Sequence, residues 1–190
     1  YSDQSNLENE RWAQYFTALA NQKIEFTSVL DGLLDSPSPR ILVVGDSIVD
    51  RYVACDPIGM SNEAPVIVVK EIGSKDYVGG AGIVAAHVVG LRANCVFVSV
   101  SGADAQAEYL ESQLKEYGVD PRIIPDENRP TTFKIRYMVE SQKLFRVSRL
   151  KEHSIPTNVE ELVIKRITDL AKSLDGILVC DFVYGVVTPR

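Results

Sequence analysis

The 190-residue sequence has no apolar run near the roughly 20 residues that a membrane-spanning helix needs. It also has no cluster of lysines and arginines, and its 20 basic and 26 acidic side chains give a net charge of −6. These absences argue against a membrane or nucleic acid as a partner. The N-terminus is polar and acidic, unlike a signal peptide. Because the chain begins at Tyr1 instead of Met, we expect residues upstream of it.

Cysteine and histidine are scarce as well. Cys55, Cys95 and Cys180 lie far apart in the sequence and form no C-x-x-C pair. We therefore expect free thiols, buried or incidental, in a reducing cytoplasm. His87 and His153 are not spaced like metal ligands relative to cysteines or acidic residues, so no metal site is expected.

What the sequence contains is an α/β pattern behind a helical extension. Residues 1–39 are predicted to form helices and a linker, because aromatic residues at helical spacing precede a Ser-Pro-Ser-Pro segment. From residue 40 to residue 190, aliphatic strands alternate with helices, which predicts a doubly wound parallel sheet. The segments of about 51–78 and 131–147 break this alternation. They are predicted to form a small antiparallel β lid outside the main sheet.

The predicted elements follow from apolar runs and helix signals. Asp104 is expected to cap one helix and Thr157 another, since both residue types accept hydrogen bonds from exposed first-turn amides. The predicted strands are 41–44, 95–100, 119–124 and 177–180, and the predicted helices are 82–91, 104–117 and 157–174.

Two aspartates follow the first predicted strand of the α/β region. In open α/β sheets, ligands bind beyond the carboxyl ends of the strands, so Asp46 and Asp50 are candidates to accept hydrogen bonds from sugar hydroxyls. The alternative is that such an aspartate only caps its loop. The segment is neither a dinucleotide-binding fingerprint, which needs three glycines, nor a Walker loop, which needs Gly-Lys-Ser/Thr.

A glycine pair and a cationic strand are the other candidates. Gly79 and Gly80 open a predicted helix, where glycine lets backbone approach a ligand closely and the helix N-terminus favours anions. Lys134 and Arg136 share one face of a predicted strand with Thr132, and two cations on one face suit a phosphate. The alternatives are an ordinary glycine turn and a solvated strand face.

These segments, taken in order, resemble ribokinase-like (PfkB) sugar kinases, and among them the heptose-phosphate kinases. Residues Val43–Tyr52 are similar to the opening strand and turn of those kinases, and Gly79-Gly80 matches their glycine hinge. The resemblance covers about residues 40–190. Its other segments are Ser61–Val66 in the first lid segment, Pro130–Tyr137 in the second, and Val179–Gly185 as a later strand ending in an acidic turn.

The resemblance implies a role for each candidate residue. Asp50 would hold sugar hydroxyls, whereas Gly79 and Gly80 would shape the pocket and the lid hinge. Lys134 and Arg136 would contact the phosphate already on the substrate. Asp46 and Asp181 are further possible substrate ligands.

The resemblance also implies partners and cofactors. The family transfers phosphate from ATP with Mg²⁺ to a sugar hydroxyl, lid strands often pair between subunits to form a dimer, and the kinase is often fused to a nucleotidyltransferase. The expected substrate is a heptose phosphate in nucleotide-activated heptose biosynthesis. The catalytic aspartate of the family lies in a Gly-Ala-Gly-Asp segment, which is expected beyond Arg190. The chain by itself is therefore expected to be inactive.

The sequence departs from the heptose-kinase pattern at two positions of interest. Ile83 stands where asparagine is usual, and Tyr184 stands where lysine is common. An aliphatic side chain cannot replace the hydrogen bonds of an amide. The alternatives are therefore a non-catalytic sugar-binding or regulatory protein, or a kinase of the same family for another sugar or a nucleoside.

Overall fold

The structure is a computed structural model that describes residues 2–35 and 37–189, with side chains from residue 11 onward except at 26, 30 and 33–35. The chain forms two compact units, Tyr1–Ser38 and Pro39–Arg190. The first unit contains helices α1 (Ser2–Asn21) and α2 (Phe26–Asp35). In α1 the rings of Trp12, Tyr15 and Phe16 pack on one another with centroids 5.7–6.0 Å apart.

The second unit alternates strands and helices as the sequence predicts. Its elements, in chain order, are β1 (Arg40–Gly45), β2 (Ser47–Met60), β3 (Ile67–Gly80), α3 (Ala81–Gly90), β4 (Asn94–Ser101), α4 (Ala105–Glu116), β5 (Asp120–Pro125), β6 (Thr132–Val139), β7 (Gln142–Arg149), α5 (Thr157–Ala171) and β8 (Gly176–Cys180).

The main sheet is parallel and covered by helices on both faces. Its strand order is β5-β4-β1-β8. Val43 of β1 packs in a core with Leu110 of α4, whereas its neighbour Leu42 packs in a second core with Val159 of α5. The continuous aliphatic run of β1 is therefore buried on both faces, which is typical of a doubly wound sheet. The predicted fold class is confirmed.

The lid differs from the prediction in size and in pairing. It is a four-stranded sheet with order β3-β2-β6-β7, built on two strands of 14 residues each. Strand β2 pairs antiparallel with β3 but parallel with β6, so the lid is mixed and not purely antiparallel. Two parallel strands need a long crossover connection between them. The chain provides one here, because α3, β4, α4 and β5 all lie between β2 and β6. The inner face of the lid, which includes Val49 and Phe133, joins the core of the main sheet.

One of the two predicted helix caps is correct. The Asp104 carboxylate accepts a hydrogen bond from the Ala107 amide at 3.0 Å, and its other oxygen accepts one from the Thr131 amide at 2.9 Å. Burial raises the pKa of the Asp104 carboxyl, but these hydrogen bonds outweigh burial and the net shift is downward. The Thr157 prediction is wrong, because Pro156 holds the cap position of α5 without a side-chain bond and Thr157 is the first helical residue.

The three cysteines are free thiols. Burial raises the pKa of Cys95 to about 11 and also raises the pKa of Cys180, so both thiols are poor nucleophiles at neutral pH. In the part of the chain that the structure describes, no helix is both long and apolar enough to cross a membrane.

Strand β8 forms an edge of the main sheet and leaves apolar side chains exposed. Ile177, Leu178 and Val179 are 49%, 42% and 62% exposed. An unpaired, apolar strand edge is a template for association with another chain.

We expect residues 40–190 alone to oligomerise in a concentration-dependent way, as measured by sedimentation velocity. The Val179→Lys substitution should suppress this association, because a charge on an edge strand opposes pairing.

The matched control is Thr168→Lys, which adds the same charge on the exposed surface of α5. This control should associate like the unchanged chain. Monomeric sedimentation of the unchanged chain at high concentration would contradict the prediction.

Candidate functional site

One face of the lid sheet gathers most of the predicted site residues. Asp50 of β2 lies opposite Lys134 of β6 in the parallel register, and the next outward-facing pair is Tyr52 with Arg136. Because alternate residues of a strand share a face, all four side chains belong to the same surface. The Arg136 guanidinium forms an ion pair with the Asp50 carboxylate, and both side chains are largely buried. We call this surface the lid face.

The two cations of the lid face have different surroundings. Arg136 is neutralised by Asp50, and its guanidinium lies 5.2 Å from the centroid of the Tyr52 ring. The Lys134 ammonium lies over the ring of Tyr184, 4.7 Å from its centroid. An aromatic ring attracts a cation without cancelling its charge. Lys134 therefore keeps its full positive charge for a ligand, whereas Arg136 orients the carboxylate of Asp50.

The glycine pair is required by close packing. A Cβ atom on Gly79 would lie 2.5 Å from a carboxylate oxygen of Asp50. Gly80 has a φ of +58°, and a Cβ atom there would lie 2.4 Å from the carbonyl oxygen of Asp46. Gly79 thus makes room for the Asp50 side chain, and Gly80 provides the left-handed backbone that turns β3 into α3.

Asp46 lies in the core and holds a loop. Its side chain is 1% exposed, and its carboxylate accepts hydrogen bonds from the amides of Phe182 at 2.8 Å, Tyr184 at 3.3 Å and Val186 at 3.0 Å. Of the two alternatives for Asp46, loop capping describes these contacts, because both carboxylate oxygens are occupied by backbone donors. We call residues 181–186 the acidic-turn loop.

Asp181 begins the acidic-turn loop and is exposed. One of its carboxylate oxygens accepts a hydrogen bond from the Val183 amide at 2.7 Å, which is a local turn contact. Among the described residues the structure shows no hydrogen bond between Asp181 and the lid face. The structure therefore brings together Asp50, Gly79, Lys134 and Arg136. Asp46 and Asp181 instead accept hydrogen bonds from backbone amides of the acidic-turn loop.

A buried arginine that sequence reasoning missed also supports this loop. Arg129 forms an ion pair with Asp126 at 3.2 Å, and both side chains are almost fully buried. Its remaining donors reach the carbonyl oxygens of Tyr184 at 3.1 Å and His153 at 3.0 Å. In the sequence, the Asp-Glu-Asn-Arg-Pro segment is typical of a surface turn. The one sequence signal for this ion pair is that Asp126 and Arg129 are three residues apart.

The described residues contain no cluster of side chains that would hold a metal ion. Within 2–35 and 37–189, no group of three or more His, Cys, Asp or Glu side chains could hold a metal ion. The sequence has no Gly-Lys-Ser/Thr loop for phosphates. We therefore assign no residue of this chain to ATP or Mg²⁺.

Comparison with known proteins finds relatives of this chain. No family model matches the chain. The chain is 36% identical over 152 residues to the bifunctional protein HldE of a Nitratiruptor species, covering 79% of this chain and 32% of that protein. It is 34% identical over 148 residues to the D-beta-D-heptose 7-phosphate kinase of Bordetella bronchiseptica, covering 78% of this chain and 47% of that protein.

Solved structures show the same fold at low identity. A carbohydrate kinase from Agrobacterium tumefaciens matches with a TM-score of 0.57 and 15% identity, over 74% of this chain and 45% of that one. Phosphofructokinase-2 from Escherichia coli, in complex with fructose-6-phosphate, matches with a TM-score of 0.57 and 13% identity, over 75% of this chain and 45% of that one.

The chain is homologous to proteins named HldE and heptose 7-phosphate kinase, and it has the fold of ribokinase-like carbohydrate kinases. It spans about a third of the length of the bifunctional relatives and about half the length of the kinase from Bordetella. The described part of this chain contains a four-stranded main sheet and a four-stranded lid.

Gly79 and Gly80 should respond differently to substitution by alanine. Gly80→Ala should destabilise the fold by about 2–4 kcal/mol, because it combines a left-handed backbone with a backbone clash. A Cβ atom in Gly79→Ala meets the side-chain carboxylate of Asp50, which can move aside, so this variant should lose less stability and keep its fold. Urea unfolding of both variants measures this contrast. Equal losses of stability in the two variants would contradict it.

Proposed function

We propose that the native protein containing this chain is an ATP-dependent kinase of a heptose phosphate in nucleotide-activated heptose biosynthesis. The observation that carries the proposal is the assembly of Asp50, Gly79, Lys134 and Arg136 on one lid face. A carboxylate that accepts hydroxyl hydrogens beside an uncompensated ammonium suits a polyol that already bears a phosphate. The names of the curated relatives, bifunctional HldE and heptose 7-phosphate kinase, support the same substrate class.

Each residue has a separate task in this proposal. Asp50 accepts hydrogen bonds from sugar hydroxyls, and Arg136 fixes the orientation of its carboxylate. Lys134 contacts the substrate phosphate. Gly79 and Gly80 keep the floor of the pocket open and set the hinge between lid and α3. Asp46 and Asp181 shape the acidic-turn loop that borders the pocket.

The chemistry of phosphoryl transfer lies outside the described residues in this proposal. Sequence resemblance to the family supports ATP with Mg²⁺ as the phosphate donor and an aspartate base in a segment beyond Arg190. The bifunctional relatives support fusion to a further domain, and the family resemblance suggests a nucleotidyltransferase. Because ATP and sugar phosphates are metabolites of the cytoplasm, we propose a cytoplasmic location.

The lid tip supports the proposal of a homodimer. Its apolar side chains are largely exposed at the end of the β2–β3 hairpin: Ile58, Met60, Val66, Ile67 and Ile72. Exposed apolar groups gathered in one region are typical of an interaction surface. A lid that pairs with the lid of a second copy would cover them.

The decisive test is turnover of heptose 7-phosphate by the native protein and by its Asp50→Asn variant. Loss of one charge-assisted hydrogen-bond acceptor should lower kcat/KM about 10- to 100-fold, because hydrogen bonds to charged groups contribute about 1.5–3 kcal/mol. The matched control is Asp56→Asn, an exposed aspartate on the same strand β2. Unchanged kcat/KM in Asp50→Asn with an intact fold would refute the assignment of this site.

The departures at Ile83 and Tyr184 favour one other candidate, a non-catalytic sugar-phosphate-binding protein. Ile83 lies in the first turn of α3, beside the glycine pair, where it offers no amide to a sugar. This candidate predicts binding of heptose 7-phosphate by the native protein with no ATP-dependent turnover. Robust turnover excludes it, and another substrate within the kinase family would appear in a panel of sugars and nucleosides.

A further inference from the structure

The acidic-turn loop is held in place by two buried charged side chains. Asp46 binds three of its amides, and Arg129 binds the carbonyl oxygen of Tyr184. The amide and the carbonyl of Tyr184 are thus fixed from opposite sides. A buried charged group loses its hydration, and this costs free energy unless hydrogen bonds within the protein replace it. Here the backbone of the loop supplies those hydrogen bonds, so the loop is held in one conformation.

The loop also contains strained backbone next to Tyr184. Val183 has a φ of +64°, a left-handed conformation that is a genuine outlier for a β-branched residue. Gly185 has a φ of +89°, and a Cβ atom there would lie 2.3 Å from the carbonyl oxygen of His153. Strained residues persist where the surrounding structure over-determines them, and they cluster at ligand sites. These two left-handed residues flank Tyr184 on either side.

The Tyr184 ring meets the lid at Lys134. The Lys134 ammonium lies 4.7 Å from the ring centroid, on the lid face that carries Asp50 and Arg136. In the part of the chain that the structure describes, Lys134 forms no ion pair with a carboxylate. Lysine is a flexible point charge, and an aromatic face restrains it while leaving its N–H donors and its charge available.

We infer that Tyr184 is a positioning residue that holds the Lys134 ammonium for the phosphate of a sugar phosphate. This inference rests on the proposed function and assigns a task to a residue that departs from the pattern of the heptose kinases. A lysine at this position would place a second ammonium beside Lys134. Tyr184 instead supplies an uncharged surface, so the phosphate is bound by one oriented cation and Arg136 stays with Asp50.

The test is calorimetric titration of the native protein, at its natural length, with heptose 7-phosphate and with the unphosphorylated heptose. Tyr184→Leu should weaken binding of the phosphorylated sugar about 2- to 30-fold, since cation–π contacts contribute about 0.5–2 kcal/mol. Binding of the unphosphorylated sugar should change less than about twofold. Tyr184→Phe retains the ring and should therefore retain the affinity. A loss of affinity in this variant would show that the hydroxyl is needed and not only the ring.

A double-mutant cycle separates positioning from a purely structural effect. In the Lys134→Met background, Tyr184→Leu should have no further effect on the phosphorylated sugar, because the two residues act through one contact. Additive losses, or equal losses for both sugars, would overturn the inference while leaving the proposed function intact. If the unchanged protein binds no heptose 7-phosphate, the proposed function fails first, and the inference about this site fails with it.

Discussion

Asp46→Ala lowers the free energy of unfolding by about 3–5 kcal/mol, because it leaves three backbone amides without their charged acceptor. The Asp46 carboxylate is 1% exposed, so water does not readily replace it while the core stays packed. Urea denaturation of the native protein, followed by circular dichroism, measures the change. The loss should be cooperative, since Val186 belongs to the core packed against α5.

Asp181→Ala is the matched control for this prediction. Asp181 lies in the same acidic-turn loop, but its carboxylate is exposed and accepts one local hydrogen bond. Its removal should leave the unfolding free energy nearly unchanged. A similar cost for the two aspartates would show that Asp46 acts as an ordinary loop residue, and the assigned role of its three hydrogen bonds would be wrong.

Arg129→Met is the second substitution with a large expected effect, about 3–5 kcal/mol of unfolding free energy. It leaves the Asp126 carboxylate buried without its partner, and it removes the donors to the carbonyl oxygens of Tyr184 and His153. Methionine fills a similar volume, so the loss reports on charge and hydrogen bonds more than on packing. Urea denaturation measures it in the same way.

The control for Arg129 is the exposed ion pair between Lys115 and Glu111 on α4. Lys115→Met should cost about 0–0.5 kcal/mol, because exposed ion pairs contribute little. The double variant Asp126→Asn/Arg129→Met should be less destabilised than the sum of its single variants, since each single substitution leaves a buried group unpaired. Simple additivity would contradict the coupling of the two side chains.

Much of the fold could be predicted because its signals are local. The aliphatic run of β1 and the capping aspartate at Asp104 each fix an element within a few residues. The alternation of such elements then specifies a doubly wound sheet, with helices on both faces. Period-two spacing correctly placed Lys134 and Arg136 on one face of β6.

The rest depends on partners that are distant in sequence. The task of Asp46 is decided by amides about 140 residues away, and nothing near Asp46 indicates whether it faces a ligand or a loop. The sequence assigned the segment 51–78 only to a small lid. It could not give the full length of β2, whose pairing with β3 shifts register between Ala54 and Cys55 and between Pro57 and Gly59. Tyr184 was noted only as a departure from a family pattern, since its contact with Lys134 arises in the folded chain.

The parallel pairing of β2 with β6 has a consequence for how the lid face forms. Asp50 and Arg136 are 86 positions apart in the chain, and their strands align only after α3, β4, α4 and β5 have been synthesised. Closing so long a loop is slow relative to local structure. On the ribosome, the β2–β3 hairpin therefore waits with an unpaired edge until residues near 139 emerge. During that interval the unpaired edge leaves the nascent chain exposed to aggregation.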